Sequence, residues 1–156
     1  MILYHSSNVS VKTPDTSHSR EYLDFGKGFY LTTLHDQAIS YAQRFIRRSQ
    51  DAWLNVYEFE FDPTEWKTLV FDAYDSEWLD FVSKCRSGKD ESDYDIVIGG
   101  IANDRVIRTL DRFFNGELTA EQALGMLIYE KPNVQYCIRS QRMLDYCLKH
   151  IECIRL

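Results

Sequence analysis

Two groups of side chains that can bind a ligand stand at or beside the ends of apolar runs near the start of the chain. His5 lies in the first apolar run, and Ser6 and Ser7 follow it directly. Tyr30 belongs to a second apolar run, and Tyr41 stands eleven residues later. Imidazole and hydroxyl groups donate and accept hydrogen bonds, while aromatic rings offer stacking surfaces. Together these residue types suit a polar ligand that contains a flat ring.

Two glycines and one amide extend this set. Gly26 and Gly28 flank a lysine directly before the second apolar run, and Gln135 interrupts the apolar run NVQYCI. Glycine weakens a strand, so this pair indicates a close approach by another backbone or by a ligand. Each polar residue also has an ordinary interpretation: a satisfied core histidine, a core tyrosine, a solvent-facing glutamine. Only their combination favours a site.

Other common catalytic patterns are absent from the sequence. The segment GKGFY has the spacing of neither a P-loop nor a GxGxxG fingerprint, and no GxSxG motif occurs. The four cysteines and four histidines show no spacing that is typical of a zinc site, so we expect no metal. Nothing local supports a Cys–His nucleophile.

Length and composition favour one ordinary domain over residues 1–156, with 44% hydrophobic and 27% charged residues. The net charge of −6 argues against a nucleic-acid partner, whose phosphates need basic side chains. The arginine trio Arg44, Arg47 and Arg48 is expected to be a solvated helix face. No stretch has the length of a membrane span. We therefore expect a cytoplasmic protein with reduced cysteines and no membrane partner.

The elements that must position these residues mix strands and helices. Strands are predicted over residues 2–6, 28–32, 53–61, 67–71, 94–100, 133–138 and 151–156, and helices over residues 34–49, 76–86, 105–114, 120–128 and 140–149. Because the order β, β, α, β, β, α, β, α, α, β, α, β lacks a regular βαβ alternation, it favours an α+β fold. Residues 7–25 are predicted to be a long polar loop.

Local signals predict several helix ends. Ser76 is the expected N-cap of the helix over 76–86. Thr119 with Gln122 has the pattern of a capping box. The pair Asn115-Gly116 is a suitable C-cap for the helix before it.

The polar residues within the predicted strands match a known set of motifs. The chain resembles the ADP-ribosyltransferases of the diphtheria-toxin and poly(ADP-ribose) polymerase type. Their His-Gly-Ser/Thr motif corresponds to His5-Ser6-Ser7 here, and their Gly-Lys-Gly-hydrophobic-Tyr-Phe motif to residues 26–31. Their second tyrosine, eleven residues on, corresponds to Tyr41. Their Glu-Tyr-Ile-Val motif corresponds to Gln135-Tyr136-Cys137-Ile138.

Over essentially its whole length, the chain is also similar to a bacterial family of domains of unknown function, number 3990 of that series. Members carry LYHGS, DFGKGFYLT and YDIVxGxxAND in this order. The first resemblance implies a split β-sheet with flanking helices that holds NAD, the substrate, in a cleft.

The resemblance also implies a role for each motif residue. His5 would bind the adenosine ribose, the Ser6 backbone would hold the nicotinamide amide, and Ser7 would reach a ribose hydroxyl. Tyr30 and Tyr41 would sandwich the nicotinamide, whose positive ring suits two aromatic faces. The long polar loop would cover the adenosine side as a mobile lid.

The main departure from the ADP-ribosyltransferase pattern is Gln135, which stands where those transferases have their catalytic glutamate. An amide can accept a hydrogen bond from the ribose 2′-OH but carries no charge, and losing one such contact costs about 3–4 kcal/mol. Asp104 or, less well, Glu130 could supply the charge. Asn103 or Asp104 could equally be the N-cap of the helix over 105–114.

Two further residues would contact the ligand in this interpretation. Gly28 would let the backbone come close to NAD, and Arg105 would bind its pyrophosphate.

The sequence therefore favours a mono-ADP-ribosyltransferase-like protein that cleaves nicotinamide from NAD. The ADP-ribose would pass to an unidentified protein or small-molecule acceptor. The alternative is a catalytically degenerate module that binds NAD or ADP-ribose. A third possibility is a structural or partner-binding protein whose cleft is empty. A toxin or effector role is an extrapolation from related transferases.

Overall fold

The computed structural model describes residues 1–156 and has the element order that the sequence predicts. The strands are β1 (Ile2–Ser7), β2 (Phe29–Thr32), β3 (Trp53–Phe59), β4 (Thr68–Val70), β5 (Ile96–Ile101), β6 (Asn133–Ile138) and β7 (Leu148–Arg155). The helices are α1 (His35–Ile46), α2 (Ser76–Arg86), α3 (Asp104–Phe114), α4 (Ala120–Leu127) and α5 (Gln141–Cys147). The mixed α+β fold is confirmed.

The seven strands form one sheet in the order β4-β5-β6-β2-β1-β3-β7. Strands β4 and β5 run parallel, and every other neighbouring pair is antiparallel. Strands β1 and β2 share a single register pair, Tyr4 with Thr32, whereas β1 pairs with β3 at six positions. We call this weakly paired junction between β1 and β2 the seam. It divides the sheet into the halves β4-β5-β6-β2 and β1-β3-β7.

The two faces of the sheet support separate cores. On one face, the α2 face, Val97 and Cys137 pack with side chains of α2, α3 and α4 such as Trp78 and Leu110. On the other, the α5 face, residues such as Leu3 and Phe29 pack with the α5 residues Met143 and Leu144. Because successive strand residues point to opposite faces, the face of each site residue follows from its neighbours.

Helix α1 packs through Ala38 against β3. The predicted solvated helix face of three arginines is found only in part. Arg47 and Arg48 are exposed but lie beyond the last residue of α1, and Arg44 lies partly buried over the Tyr41 ring. At 12 residues α1 is the longest helix. None of the five helices has the length and apolar character needed to cross a membrane.

Of the three helix caps predicted from local signals, two are confirmed and one is wrong. The side chain of Asp75, not Ser76, accepts the hydrogen bond from Trp78 N, because Asp75 has the extended backbone of an N-cap residue. The Thr119–Gln122 capping box is present. Asn115 is the C-cap of α3, and Gly116 follows it with a φ of +77°.

Candidate functional site

The three strands that carry the motif residues are neighbours in the sheet, in the order β6-β2-β1. His5 lies on β1, where its Nδ1 is 2.8 Å from the Tyr30 carbonyl oxygen on β2. The ring packs on Phe29, with centroids 4.3 Å apart. Burial lowers the pKa of His5 below its usual 6.5, outweighing the hydrogen bond to Tyr30. The imidazole is therefore neutral at pH 7, and Nδ1–H donates to the carbonyl across the seam.

The side chain of Tyr30 leaves the sheet on the face opposite to the His5 ring. Phe29 packs on the α5 face with His5, so Tyr30, the next residue, points to the α2 face. Its hydroxyl donates to Gly26 O at 2.6 Å and accepts from Phe25 N at 3.1 Å. Burial is the main cause that raises the pKa of Tyr30. Tyr30 thus fixes the loop before β2.

Gln135 lies on the Tyr30 side of the sheet, whereas Tyr41 lies on the exposed surface of α1. Gln135 pairs with Thr32 on β2 and is partly exposed. It stands two residues before Cys137, the register partner of Tyr30, so Gln135 and Tyr30 share a face. Tyr41 is 48% exposed on α1, and its ring contacts Arg44 at 4.7 Å. The structure therefore groups Gln135 with Tyr30 and directs the His5 ring to the other face.

Both predicted serines use their hydroxyls within the chain. Ser6 Oγ donates to Ala38 O at 2.6 Å and so attaches α1 to β1. Ser7 Oγ donates to Val9 O and accepts from Asn55 Nδ2 at 3.1 Å. These bonds attach the end of β1 to α1 through Ser6 and to Asn55 of β3 through Ser7.

The two glycines of DFGKG are explained by backbone conformation at Gly26 and by a close approach to the neighbouring strand at Gly28. Gly26 has a φ of +75°, which glycine adopts without strain. A Cβ at Gly28 would lie 2.6 Å from Cys137 Sγ and 2.8 Å from Ile138 O. The backbone that Gly28 approaches is that of β6, and this packing alone requires a glycine.

The segment after β5 begins a helix. Asn103 Oδ1 accepts from Arg105 N and Val106 N, each at 3.0 Å, so Asn103 rather than Asp104 caps α3. The side chains of Asp104 and Arg105 are exposed. Glu130 is partly buried, three residues before β6. These carboxylates stand at the end of the sheet where β5 finishes and β6 begins.

One partly buried carboxylate, Asp24, was not predicted as a site residue from the sequence. Asp24 Oδ2 accepts from Ala102 N at 2.9 Å, and its Oδ1 is 3.7 Å from Arg86 Nη1. Burial raises the pKa of Asp24 above its usual value, although the hydrogen bond and Arg86 act against the rise. Phe25, the next residue in the chain, donates its N–H to the Tyr30 hydroxyl at 3.1 Å, so Asp24 is one residue away from a contact of Tyr30. Its place at the start of DFGKG was the only available signal.

A buried amide on the α5 face also escaped the sequence analysis. Asn55 accepts from Val11 N at 2.7 Å and from Cys153 Sγ at 3.1 Å, and it donates to His5 O. His150 Nε2 lies 3.1 Å from Cys153 Sγ, because a β-bulge brings residues three apart to one face. This network attaches the loop after β1 to three strands and supports the backbone of His5.

One groove on the protein surface is separate from these residues. It has a volume of about 770 Å³ and lies between residues 59–66 and α5, and we call it the β3–α5 groove. None of the predicted site residues lines it. No three His, Cys, Asp or Glu side chains converge in a way that could hold a metal ion.

The fold and the polar strand residues define an α+β domain with motif strands on both sides of a weakly paired seam. The chain belongs to the family described as protein of unknown function (DUF3990), whose model matches residues 1–150. No curated protein and no solved structure matches it significantly.

Proposed function

We propose that the chain is an ADP-ribosyltransferase-like protein that binds NAD at the seam and cleaves its nicotinamide. The ADP-ribose passes to a protein or small-molecule acceptor. The observation that carries this proposal is the adjacency of β6, β2 and β1, which bear Gln135, Tyr30 and His5. The four free cysteines favour action in the cytoplasm.

The seam supports this proposal because backbone groups there lack a full ladder. Beyond the pair Tyr4–Thr32, the facing edges of β1 and β2 make no further register pairs. Such edges can pair with a ligand amide, as proposed for the Ser6 backbone and the nicotinamide. Since His5 Nδ1–H donates to Tyr30 O, Nε2 is left as an acceptor for a ribose hydroxyl.

The positive charge that develops on the ribose needs a nearby negative group. Gln135 offers only an amide oxygen in the place of the glutamate of the ADP-ribosyltransferases that the chain resembles. Among the carboxylates, Asp24 is partly buried, and the residue after it, Phe25, donates its N–H to the Tyr30 hydroxyl at 3.1 Å. We propose Asp24 as the substitute, ahead of the exposed Asp104. Arg105 keeps its proposed role, which is to bind the pyrophosphate of NAD.

The alternative is a module that binds NAD or ADP-ribose without cleaving it. Two observations favour it. Gln135 carries no charge, and the hydroxyl of Tyr30 is engaged with Phe25 and Gly26. A ring held in this way can still offer its face to nicotinamide.

The deciding experiment incubates the purified protein with NAD, follows free nicotinamide over time and measures binding by calorimetry. Transferase activity predicts nicotinamide release, whereas the binding module predicts heat of binding without release. His5→Ala should remove either signal, while the matched variant His35→Ala, at an exposed position of α1, should retain it. Absence of both binding and release from the wild-type protein would overturn both functions.

Gln135→Glu tests whether only the charge is missing. Because Asp24 is the proposed source of that charge, we expect nicotinamide release to change little. A rise of about 10²–10³-fold would contradict Asp24 as the substitute, because it would mean that the charge is missing in the wild-type protein. Gln43→Glu adds the same charge on exposed α1 and should change nothing. If Gln135→Glu has no effect, Asp24→Asn should abolish release from the wild-type background, and a null result there as well would contradict the proposed chemistry.

A further inference from the structure

The β3–α5 groove has aromatic walls that already hold a cation. The guanidinium of Arg142 lies 5.0 Å from the Trp66 ring centroid and 5.8 Å from that of Tyr146. Tyr146 is 80% exposed, so most of its surface remains open. Aromatic faces attract cations, and arginine is the side chain most often found on them. The walls of this groove therefore suit guanidinium groups.

The rim of the groove carries an excess of negative charge. A smaller depression of about 450 Å³ continues the groove along β7 and shares Glu60, Tyr146 and Cys147 with it. Together the two are lined by five carboxylates against two basic side chains, Arg142 and Lys149. The carboxylates are Glu58, Glu60, Asp62, Glu65 and Asp145.

These carboxylates have no cationic partners within the chain. All eight ion pairs of the protein involve other residues. Asp62 and Asp145 accept hydrogen bonds from Thr64 and Gln141, which are neutral. Glu65 contributes, after burial, to raising the pKa of the Cys147 thiol inside the groove, against the effect of Arg142. Its negative field therefore reaches the groove interior.

We propose that the β3–α5 groove binds a basic, arginine-containing segment of a partner protein. One arginine of the partner stacks on Tyr146 and Trp66 in competition with Arg142, and neighbouring basic side chains pair with Glu60 and Glu65. Charge complementarity selects such a partner, since the groove is more acidic than its own basic residues can balance. This inference is independent of NAD, because none of the seam residues lines the groove.

The test titrates a short peptide of alternating arginine and glycine into the full chain by calorimetry, with an alternating glutamate–glycine peptide as the negative probe. Glu60→Gln with Glu65→Gln should weaken arginine-peptide binding about three- to tenfold, as expected for two exposed ion pairs. The matched double variant Glu91→Gln with Glu121→Gln removes the same charge elsewhere and should leave affinity unchanged. Equal losses in both double variants would overturn the proposal, because binding would then follow net charge alone.

Substitution of Arg142 gives the most specific test, because the proposed competition predicts tighter peptide binding when this side chain is removed. Arg142→Gln frees the aromatic walls, so it should tighten arginine-peptide binding about two- to fivefold more than Lys149→Gln, which removes a charge from the same rim. Tyr146→Ala should weaken it by a similar factor. Loss of binding in Arg142→Gln would overturn the proposed competition. Binding of a linear polyamine as tightly as the peptide, insensitive to Tyr146→Ala, would contradict recognition of arginine.

Discussion

Replacing Arg139 by methionine should lower the free energy of unfolding by about 3 kcal/mol, because it leaves the largely inaccessible carboxylate of Asp90 without its charge partner. Arg139 Nη2 lies 2.7 Å from Asp90 Oδ2, and the two side chains are 13% and 12% exposed. The guanidinium also donates to Ser92 Oγ and Ser92 O. Denaturant unfolding followed by far-UV circular dichroism measures the loss.

Arg155→Met is the matched control, because Arg155 pairs with Asp51 at 2.6 Å with both side chains more than half exposed. Its loss should cost no more than about 1 kcal/mol. Adding Asp90→Asn to Arg139→Met should recover part of the stability, since the uncompensated charge is removed. Similar losses from Arg139→Met and Arg155→Met would contradict a buried ion pair.

The same pair gives a pH dependence of definite sign. Burial alone would raise the pKa of Asp90, but hydrogen bonds from Ser92 and Arg139 outweigh it and hold this pKa below 3.8. The ionised form therefore stabilises the fold above the unfolded pKa, and this contribution is lost as the pH falls through the lower folded pKa. In Arg139→Met, the free energy of unfolding should therefore decrease less than in the wild-type protein as the pH is lowered.

The type and order of all the elements could be predicted because hydrophobic periodicity is local in sequence. The boundary between α5 and β7 could not: the prediction ended the helix at residue 149, whereas the helix ends at Cys147 and Leu148 already pairs with Phe59. That end is decided by pairing with β3, almost ninety residues earlier in the chain. The cap of α2 was missed by one residue for a simpler reason, since Asp75 and Ser76 are both good N-caps.

The candidate site was predictable as a set of residues and only partly as an arrangement. Motif order placed His5, Tyr30 and Gln135 on strands, but the face of each side chain depends on register across β6, β2 and β1. Asn55 lay in a run with clean alternation, and its role appears only when the bulge in the pairing of β3 with β7 brings Cys153 beside it. Long-range strand pairing therefore decides the faces and contacts of these side chains, which hydrophobic periodicity alone does not determine.

Gly28→Ala should destabilise the protein by about 1–3 kcal/mol or more, because the new methyl has no space. Its Cβ would lie 2.6 Å from Cys137 Sγ and 2.8 Å from Ile138 O, and the second of these is a backbone atom that β6 holds in place. Thermal unfolding measures the change. Gly125→Ala is the control: the added Cβ in α4 meets no atom within 4 Å, so stability should rise by about 0.5–1 kcal/mol.

A second variant separates the packing role of Gly28 from a role in binding NAD. Adding Cys137→Ala to Gly28→Ala removes the contact with Sγ but not the one with Ile138 O, so only part of the stability should return. If Gly28 served the ligand alone, Gly28→Ala would keep its full stability and lose only NAD affinity. If packing dominates, the stability loss comes first, and NAD affinity falls only because the loop before β2, which the Tyr30 hydroxyl holds through Gly26 O, is displaced.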